Sequence, residues 1–131
     1  MKRYKVGLIG FSIGGHVFHA PFIASNPDLE LYKVTARKEE QQKMLAERYP
    51  EAISVLSADE IINDPDVDIV VVATSNDVHY SLTKQALEAG KHVIVEKPFT
   101  NTTAEADELI ELAKAKGLLL NLVDPPRAGI I

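Results

Sequence analysis

Ile69-Val70-Val71-Val72-Ala73 is an unbroken, β-branched run in the middle of the chain, closed by Thr74-Ser75-Asn76-Asp77. A strand with one wet face would alternate apolar and polar residues. This one does not, so it reads as a strand covered on both faces, the usual situation in a parallel sheet. Forward from it, Asn76 to Ala89 reads as a helix with Leu82, Ala86 and Leu87 turned inward and Gly90 as its stop. His92-Val93-Ile94-Val95 is the next strand. Thr102-Thr103-Ala104-Glu105 is a capping box that opens a helix carrying Ala106, Leu109, Ile110 and Ala113. Gly117 stops that helix, and Leu118 to Val123 is the last strand. Backward from the central run, Val6-Gly7-Leu8-Ile9 is a strand ending in Gly10, and residues 14–25 form a helix closed by Asn26-Pro27. Leu29 to Thr35 is a strand. Lys38 to Tyr49 is a helix with Met44, Leu45 and Tyr49 on one side, stopped by Pro50. Ile53 to Leu56 is a short strand, and Ser57-Ala58-Asp59-Glu60 caps a short helix ending near Asn63-Asp64-Pro65. Strands alternating with helices specify an α/β fold, a doubly wound parallel sheet in a single domain. Right-handed crossovers leave few topologies for it.

The composition agrees with one soluble domain and excludes several chemistries. The chain has 131 residues, 46% of them hydrophobic and 25% charged, enough to bury a core without staples. With no cysteine, disulfides, thiolate zinc sites, iron–sulfur clusters and cysteine nucleophiles are excluded, and a reducing, cytoplasmic setting is expected. A net charge of −5 argues against a nucleic-acid or anionic-membrane partner. No apolar stretch approaches a membrane span, and the start Met1-Lys2-Arg3-Tyr4-Lys5 does not read as a signal peptide.

In open α/β sheets, ligands bind at the carboxyl ends of the strands. The conformationally special residues of this chain collect there. The first strand ends in Gly10-Phe11-Ser12-Ile13-Gly14-Gly15. A glycine-rich strand-to-helix turn lets backbone N–H groups approach a pyrophosphate at a helix N-terminus. The pattern G-x-G-x-x-G appears here as Gly10-x-Ser12-x-x-Gly15, with serine at the middle position. Glycine needed only for a tight turn would give the same spelling; a βαβ unit that opens the chain favours dinucleotide binding in a Rossmann fold. After the second strand, Thr35-Ala36-Arg37-Lys38 lacks the carboxylate that would hold a ribose 2′-hydroxyl. The cations Arg37 and Lys38 suit a 2′-phosphate and hence NADP over NAD, or else form a solvated first helical turn. Thr74 and Asn76 follow the fourth strand, with His79 facing the same cleft or capping a turn. Glu96-Lys97-Pro98 follows the fifth; Lys97 there is either a partly desolvated lysine with a lowered pKa or half of a surface ion pair. His16 and His19 are spaced like a ligand pair, but no carboxylate or cysteine completes a set, so no metal is expected.

These pieces together resemble the N-terminal half of the Gfo/Idh/MocA oxidoreductases, the glucose–fructose oxidoreductase and inositol dehydrogenase family. The matching segments are Val6 to Gly10 with Gly15, Phe18-His19-Ala20-Pro21, Ala73 to His79, Ala86 to Val93, and Glu96-Lys97-Pro98. The run from Ala86 to Pro98 is specific to that family, and the likeness covers residues 4 to 120. The resemblance implies an NAD(P)-binding domain joined to a substrate domain. It also implies hydride transfer between the nicotinamide and a hydroxyl-bearing carbon of a sugar, a cyclitol or another small polyol. It makes Lys97 the catalytic residue, bonded to the reacting hydroxyl or assisting its proton transfer. The cofactor-binding set becomes Gly10, Phe11, Ser12, Ile13, Gly14, Gly15, Arg37, Lys38, Thr74, Asn76, His79, Glu96 and Lys97. A cis Lys97–Pro98 bond is expected to aim the lysine across the cleft.

The chain departs from the family at Ser12 and after residue 123, where Asp124-Pro125-Pro126-Arg127-Ala128-Gly129-Ile130-Ile131 does not look like the family's continuation. Residues 1–123 therefore read as the dinucleotide-binding domain and 124–131 as an atypical tail, with the C-terminal substrate domain absent. The chain alone is expected to be inactive and to self-associate, as a homo-oligomer, through surfaces that relatives cover. A non-catalytic dinucleotide-binding module is the alternative. A phosphorylation-dependent receiver domain is disfavoured, because the acidic pair it needs after the first strand is replaced by Gly10-Phe11-Ser12.

Overall fold

The computed structural model describes residues 4–10, 23, 27–36, 38–73, 79–96 and 103–123. Its six strands are β1 (Tyr4–Ile9), β2 (Leu29–Thr35), β3 (Ile53–Val55), β4 (Ile69–Val72), β5 (His92–Glu96) and β6 (Leu120–Val123). The helices described are α1 (Glu39–Arg48), α2 (Asp59–Ile62), α3 (His79–Glu88) and α4 (Thr103–Lys116). The strands form one sheet in the order β3-β2-β1-β4-β5-β6, and every neighbouring pair is parallel. Strand order reverses between β1 and β4, the switch point at which such sheets open a crevice.

The burial of β4 bears out the expectation from its composition: Val70, Val71 and Val72 are 0%, 3% and 0% exposed, facing both sides in turn. On one side Val70 and Val72 join Ile9, Val93 and Val95 beneath Ile61 and Ile62 of α2, Ala86 and Leu87 of α3, and Leu109 and Ala113 of α4. On the other, Val6, Leu8, Leu31, Val34, Val71 and Ala73 pack with Ile23 and with Leu45 of α1. Each large aliphatic side chain so buried contributes about 1.5–3 kcal/mol.

Two local features let β1 and β2 sit in this core. The register runs Val6↔Leu31 and then Gly7↔Lys33, so Tyr32 is an extra residue on β2, a β-bulge. The bulge lets Leu31 and Val34 share a core face despite their odd spacing. It also turns the Tyr32 ring toward the other layer, with the Lys5 and Lys33 ammonium groups 4.6 and 5.6 Å from its centroid. Gly7, next along β1, lies against α2: a Cβ there would stand 2.2 Å from Ile61 Cγ2.

Helices α3 and α4 stop as their glycines indicate. Gly90 has φ +84°, the Lys91 N–H donates to the Ala86 carbonyl at 3.0 Å, and the Gly90 N–H to Leu87 at 3.0 Å. Gly117, Leu118 and Ala113 repeat the arrangement. Both are Schellman stops, which aim the chain back into the sheet. The second explains why β6 begins at Leu120 rather than Leu118. The Leu118 N–H closes the helix, and Leu119, 72% exposed, donates its N–H to His92 Nδ1 at 3.1 Å. Met44 also departs from expectation. It is 39% exposed while Leu45 is 1% exposed, since neighbours on a helix point about 100° apart and one residue takes the core. At α2 the Glu60 carboxylate accepts the Leu56 and Ser57 N–H groups at 3.0 and 3.2 Å, half of the expected capping box.

Candidate functional site

The carboxyl edge of the sheet brings together Gly10, Thr35, Ala73 and Glu96, at the ends of β1, β2, β4 and β5. β1 and β4 end side by side, with Ile9 paired to Val72 and the Ala73 N–H donating to the Ile9 carbonyl at 2.9 Å. Immediately after this rung Gly10 takes φ +103°, a conformation L side chains rarely adopt. Glycine here is thus required by backbone geometry. Its N–H donates to Thr35 Oγ1 at 2.8 Å, and Thr35 is 8% exposed.

The end of β2 is anchored on its other flank. Ala36 is fully buried, its N–H donates to the Val55 carbonyl at 3.0 Å, and its carbonyl accepts Gln42 Nε2 at 2.9 Å. Lys38 stands exposed just before α1, and its N–H donates to Gln41 Oε1 at 3.2 Å. No carboxylate precedes it on β2's exit, but Glu39 and Glu40 follow in the first turn of α1, where the helix dipole favours them.

His79 opens α3 and is 1% exposed, a buried histidine at the start of the helix that follows β4. Glu96 closes β5, with its backbone paired to Val123. Phe11, Ser12, Ile13, Gly14, Gly15, Arg37, Thr74, Asn76 and Lys97 lie outside the described residues, as do the Lys97–Pro98 bond, His16, His19 and the 124–131 tail. The described part of the edge fits a dinucleotide: a positive-φ glycine without Cβ at the switch point leaves backbone free to approach a phosphate group.

Two residues with structural consequences escaped the sequence reading. Thr35 carried no signal, because a β-branched residue ending a strand is ordinary. Gly7 read as one member of an apolar run. A charged knot lies instead at the opposite end of the sheet, before β4 and β5. Lys33 Nζ is 2.6 Å from Asp64 Oδ2, and the buried Lys91 donates its ammonium to the Asp64 carbonyl at 2.6 Å. The hydrogen bond from Lys33, followed by the Asp66 N–H, holds the Asp64 carboxyl below its usual range; the same hydrogen bond raises Lys33.

Residues 4–123 match the family model of an oxidoreductase family with an NAD-binding Rossmann fold. The chain is 43% identical over 118 residues to the uncharacterized oxidoreductase YdgJ of Escherichia coli strain K12, covering 90% of this chain and 33% of that protein. It is 36% identical over 118 residues to the scyllo-inositol 2-dehydrogenase (NADP(+)) IolW of Bacillus subtilis strain 168, covering 90% of this chain and 32% of IolW. Among solved structures, KijD10, a 3-ketoreductase from Actinomadura kijaniata in complex with NADP and TDP-benzene, superposes with a TM-score of 0.85 at 30% identity. That match covers 92% of this chain and 37% of KijD10. Another similar structure was solved in complex with NAD. The chain thus spans about a third of the length of the curated relatives it matches. On the match of residues 4–123 and the order of its parallel strands, the chain belongs to the Gfo/Idh/MocA oxidoreductase family and forms its NAD(P)-binding Rossmann domain.

Proposed function

We propose that residues 1–123 are the dinucleotide-binding domain of an oxidoreductase that moves a hydride between a nicotinamide cofactor and a hydroxyl-bearing carbon of a sugar, cyclitol or related small molecule. The observation that carries the reading is Gly10, a positive-φ glycine closing β1 beside β4 at the switch point of the sheet. The turn Gly10-Phe11-Ser12-Ile13-Gly14-Gly15 holds the pyrophosphate, and Arg37 and Lys38 take a 2′-phosphate. Thr74, Asn76, His79 and Glu96 belong to the segments around the rest of the dinucleotide. Lys97 bonds the substrate hydroxyl and shares its proton, while the nicotinamide, when bound, supplies the hydride chemistry. The names of IolW and KijD10 support the substrate class and the preference for NADP.

The lack of cysteine supports a cytoplasmic setting, and the net charge of −5 supports small-molecule rather than nucleic-acid partners. Among the described residues no helix is long and apolar enough to cross a membrane. Titration with NADP and NAD, followed by protein or nicotinamide fluorescence, tests the cofactor reading. A charge-assisted bond is worth about 1.5–3 kcal/mol, so NADP should bind roughly tenfold or more tighter than NAD. Arg37→Asp should weaken NADP selectively. Equal affinities, or tighter NAD, would remove the role given to Arg37 and Lys38.

A further inference from the structure

β1 and β2 pair through Leu8 and Val34, and beyond that rung β1 must leave the sheet for its loop. The Ile9 carbonyl is taken by Ala73 on the β4 side. Because backbone groups alternate sides along a strand, the next N–H, that of Gly10, faces β2. There it meets a side chain rather than a carbonyl: Thr35 Oγ1, at 2.8 Å. The backbone just past Thr35 is committed elsewhere, with the Ala36 N–H on Val55 and the Ala36 carbonyl on Gln42. Among the described residues, the Thr35 hydroxyl thus supplies the last rung between β1 and β2.

That rung fixes the peptide plane entering Gly10. With φ at +103°, the same plane sets the direction in which the chain departs toward Phe11. We propose that Thr35 is a positioning residue for the dinucleotide. Through the Gly10 N–H it orients the turn that approaches the pyrophosphate, and it ties that turn to the strand whose exit carries Arg37 and Lys38. This role rests on the reading of Gly10–Gly15 as the pyrophosphate site. It makes a specific claim about which affinities change together. Thr35 would act on the phosphates common to both dinucleotides, so its loss weakens NADP and NAD by the same factor. A residue that reads the 2′-phosphate would change NADP alone.

The test compares the 131-residue protein with its Thr35→Val and Thr35→Ser variants in NADP and NAD titrations and in thermal unfolding. Valine keeps the buried shape and removes the acceptor; serine keeps the acceptor and loses a buried methyl. Thr35→Val should bind both dinucleotides about two- to tenfold more weakly, the range of one neutral hydrogen bond, and leave their ratio unchanged. Thr35→Ser should bind within about twofold of the wild type although the lost methyl lowers its melting temperature. Affinity then follows the hydroxyl rather than the melting temperature, which a purely structural role does not produce. Amide exchange gives a readout in the absence of ligand: the Gly10 N–H should lose protection in Thr35→Val while Leu8 and Val34 keep theirs. If the valine variant does not fold, Thr35→Ala against Thr35→Ser gives the same comparison. Undiminished binding by Thr35→Val, or equal weakening in both variants, overturns the role while leaving the pyrophosphate reading standing. A wild-type protein that binds neither dinucleotide overturns that reading and the role of Thr35 with it.

Discussion

Replacing Gly7 by alanine should destabilise the domain, although alanine is ordinarily the better strand residue. An added Cβ would stand 2.2 Å from Ile61 Cγ2, 3.4 Å from Ile61 Cβ and 3.5 Å from Val67 Cγ1. Carbon atoms in contact prefer about 3.5–4.0 Å, so β1 and α2 must separate by more than an ångström or Ile61 must leave its place. Neither is easy. Ile61 and Val67 are 0% and 2% exposed, and Ile62, 4% exposed, packs α2 into the same core cluster. Overpacking of this kind costs about 1–3 kcal/mol. Relief of glycine's conformational freedom returns about 0.5–1 kcal/mol, since Gly7 is not among the positive-φ glycines. The net expectation is a loss of about 1–2 kcal/mol, or roughly 4–10 °C in melting temperature for a domain of this size. Urea and thermal unfolding followed by circular dichroism measure it. A double-mutant cycle with Ile61→Ala isolates the contact. Ile61→Ala alone opens a cavity costing about 2–5 kcal/mol, and the new methyl at position 7 then has room. The pair should be more stable than the sum of the single changes by at least about 1 kcal/mol. A Gly7→Ala protein as stable as the wild type, or strict additivity in the cycle, would refute the packing argument.

Other outcomes follow from single groups. Among the described residues Thr83 Oγ1 is a buried side-chain oxygen without a hydrogen-bond partner, so Thr83→Val should leave stability unchanged or raise it by about 1 kcal/mol; a clear loss would show that the hydroxyl is paired. Asp64 is held below its unfolded value, so its pairing with Lys33 is fully stabilising above about pH 4 and is lost as pH falls through the lowered value. Lys33, raised, keeps its share until alkaline pH passes through the raised value. Asp64→Asn should therefore open a constant stability gap between about pH 5 and 9 that narrows in acid; a gap that does not narrow from pH 5 to pH 2 would refute this. Edge strand β3 leaves Ile53 and the adjoining Leu56 46% and 62% exposed, so we expect concentration-dependent self-association in sedimentation; a clean monomer at high concentration would count against it.

Much of this architecture was legible because the informative residues act locally. The unbroken run at β4 could be explained only by two covered faces, and Gly90 and Gly117 mark stops whatever surrounds them. Gly10 could be located for the same reason, as the residue that turns a first strand toward a helix. Features that depend on the neighbouring element were not legible. Met44 and Leu45 are equally apolar, and only the direction of the sheet decides which is buried. Gly7 matters because Ile61, far along the chain, lands on it. Thr35 is one of many strand threonines until Gly10 is placed beside it. Leu118 and Leu119 read as strand because their apolar character was visible, while the use of Leu118 in closing α4 and of Leu119 in bonding His92 was not.

The bulge at Tyr32 gives β2 a tolerance for changes in length. Leu31 and Val34 keep their faces because the extra residue is absorbed between them. Deleting Tyr32 would leave Leu31, Lys33, Val34 and Thr35 in simple alternation, with every core residue and the Thr35–Gly10 rung on its present side. Deleting Leu31 or Val34 instead would strip the core of a member. A gap of one residue between relatives in this strand therefore belongs at position 32. A homologue lacking that residue would give up the ring between Lys5 and Lys33 while keeping the binding edge in phase. The strand can gain or lose a residue over descent without disturbing the end that faces the ligand.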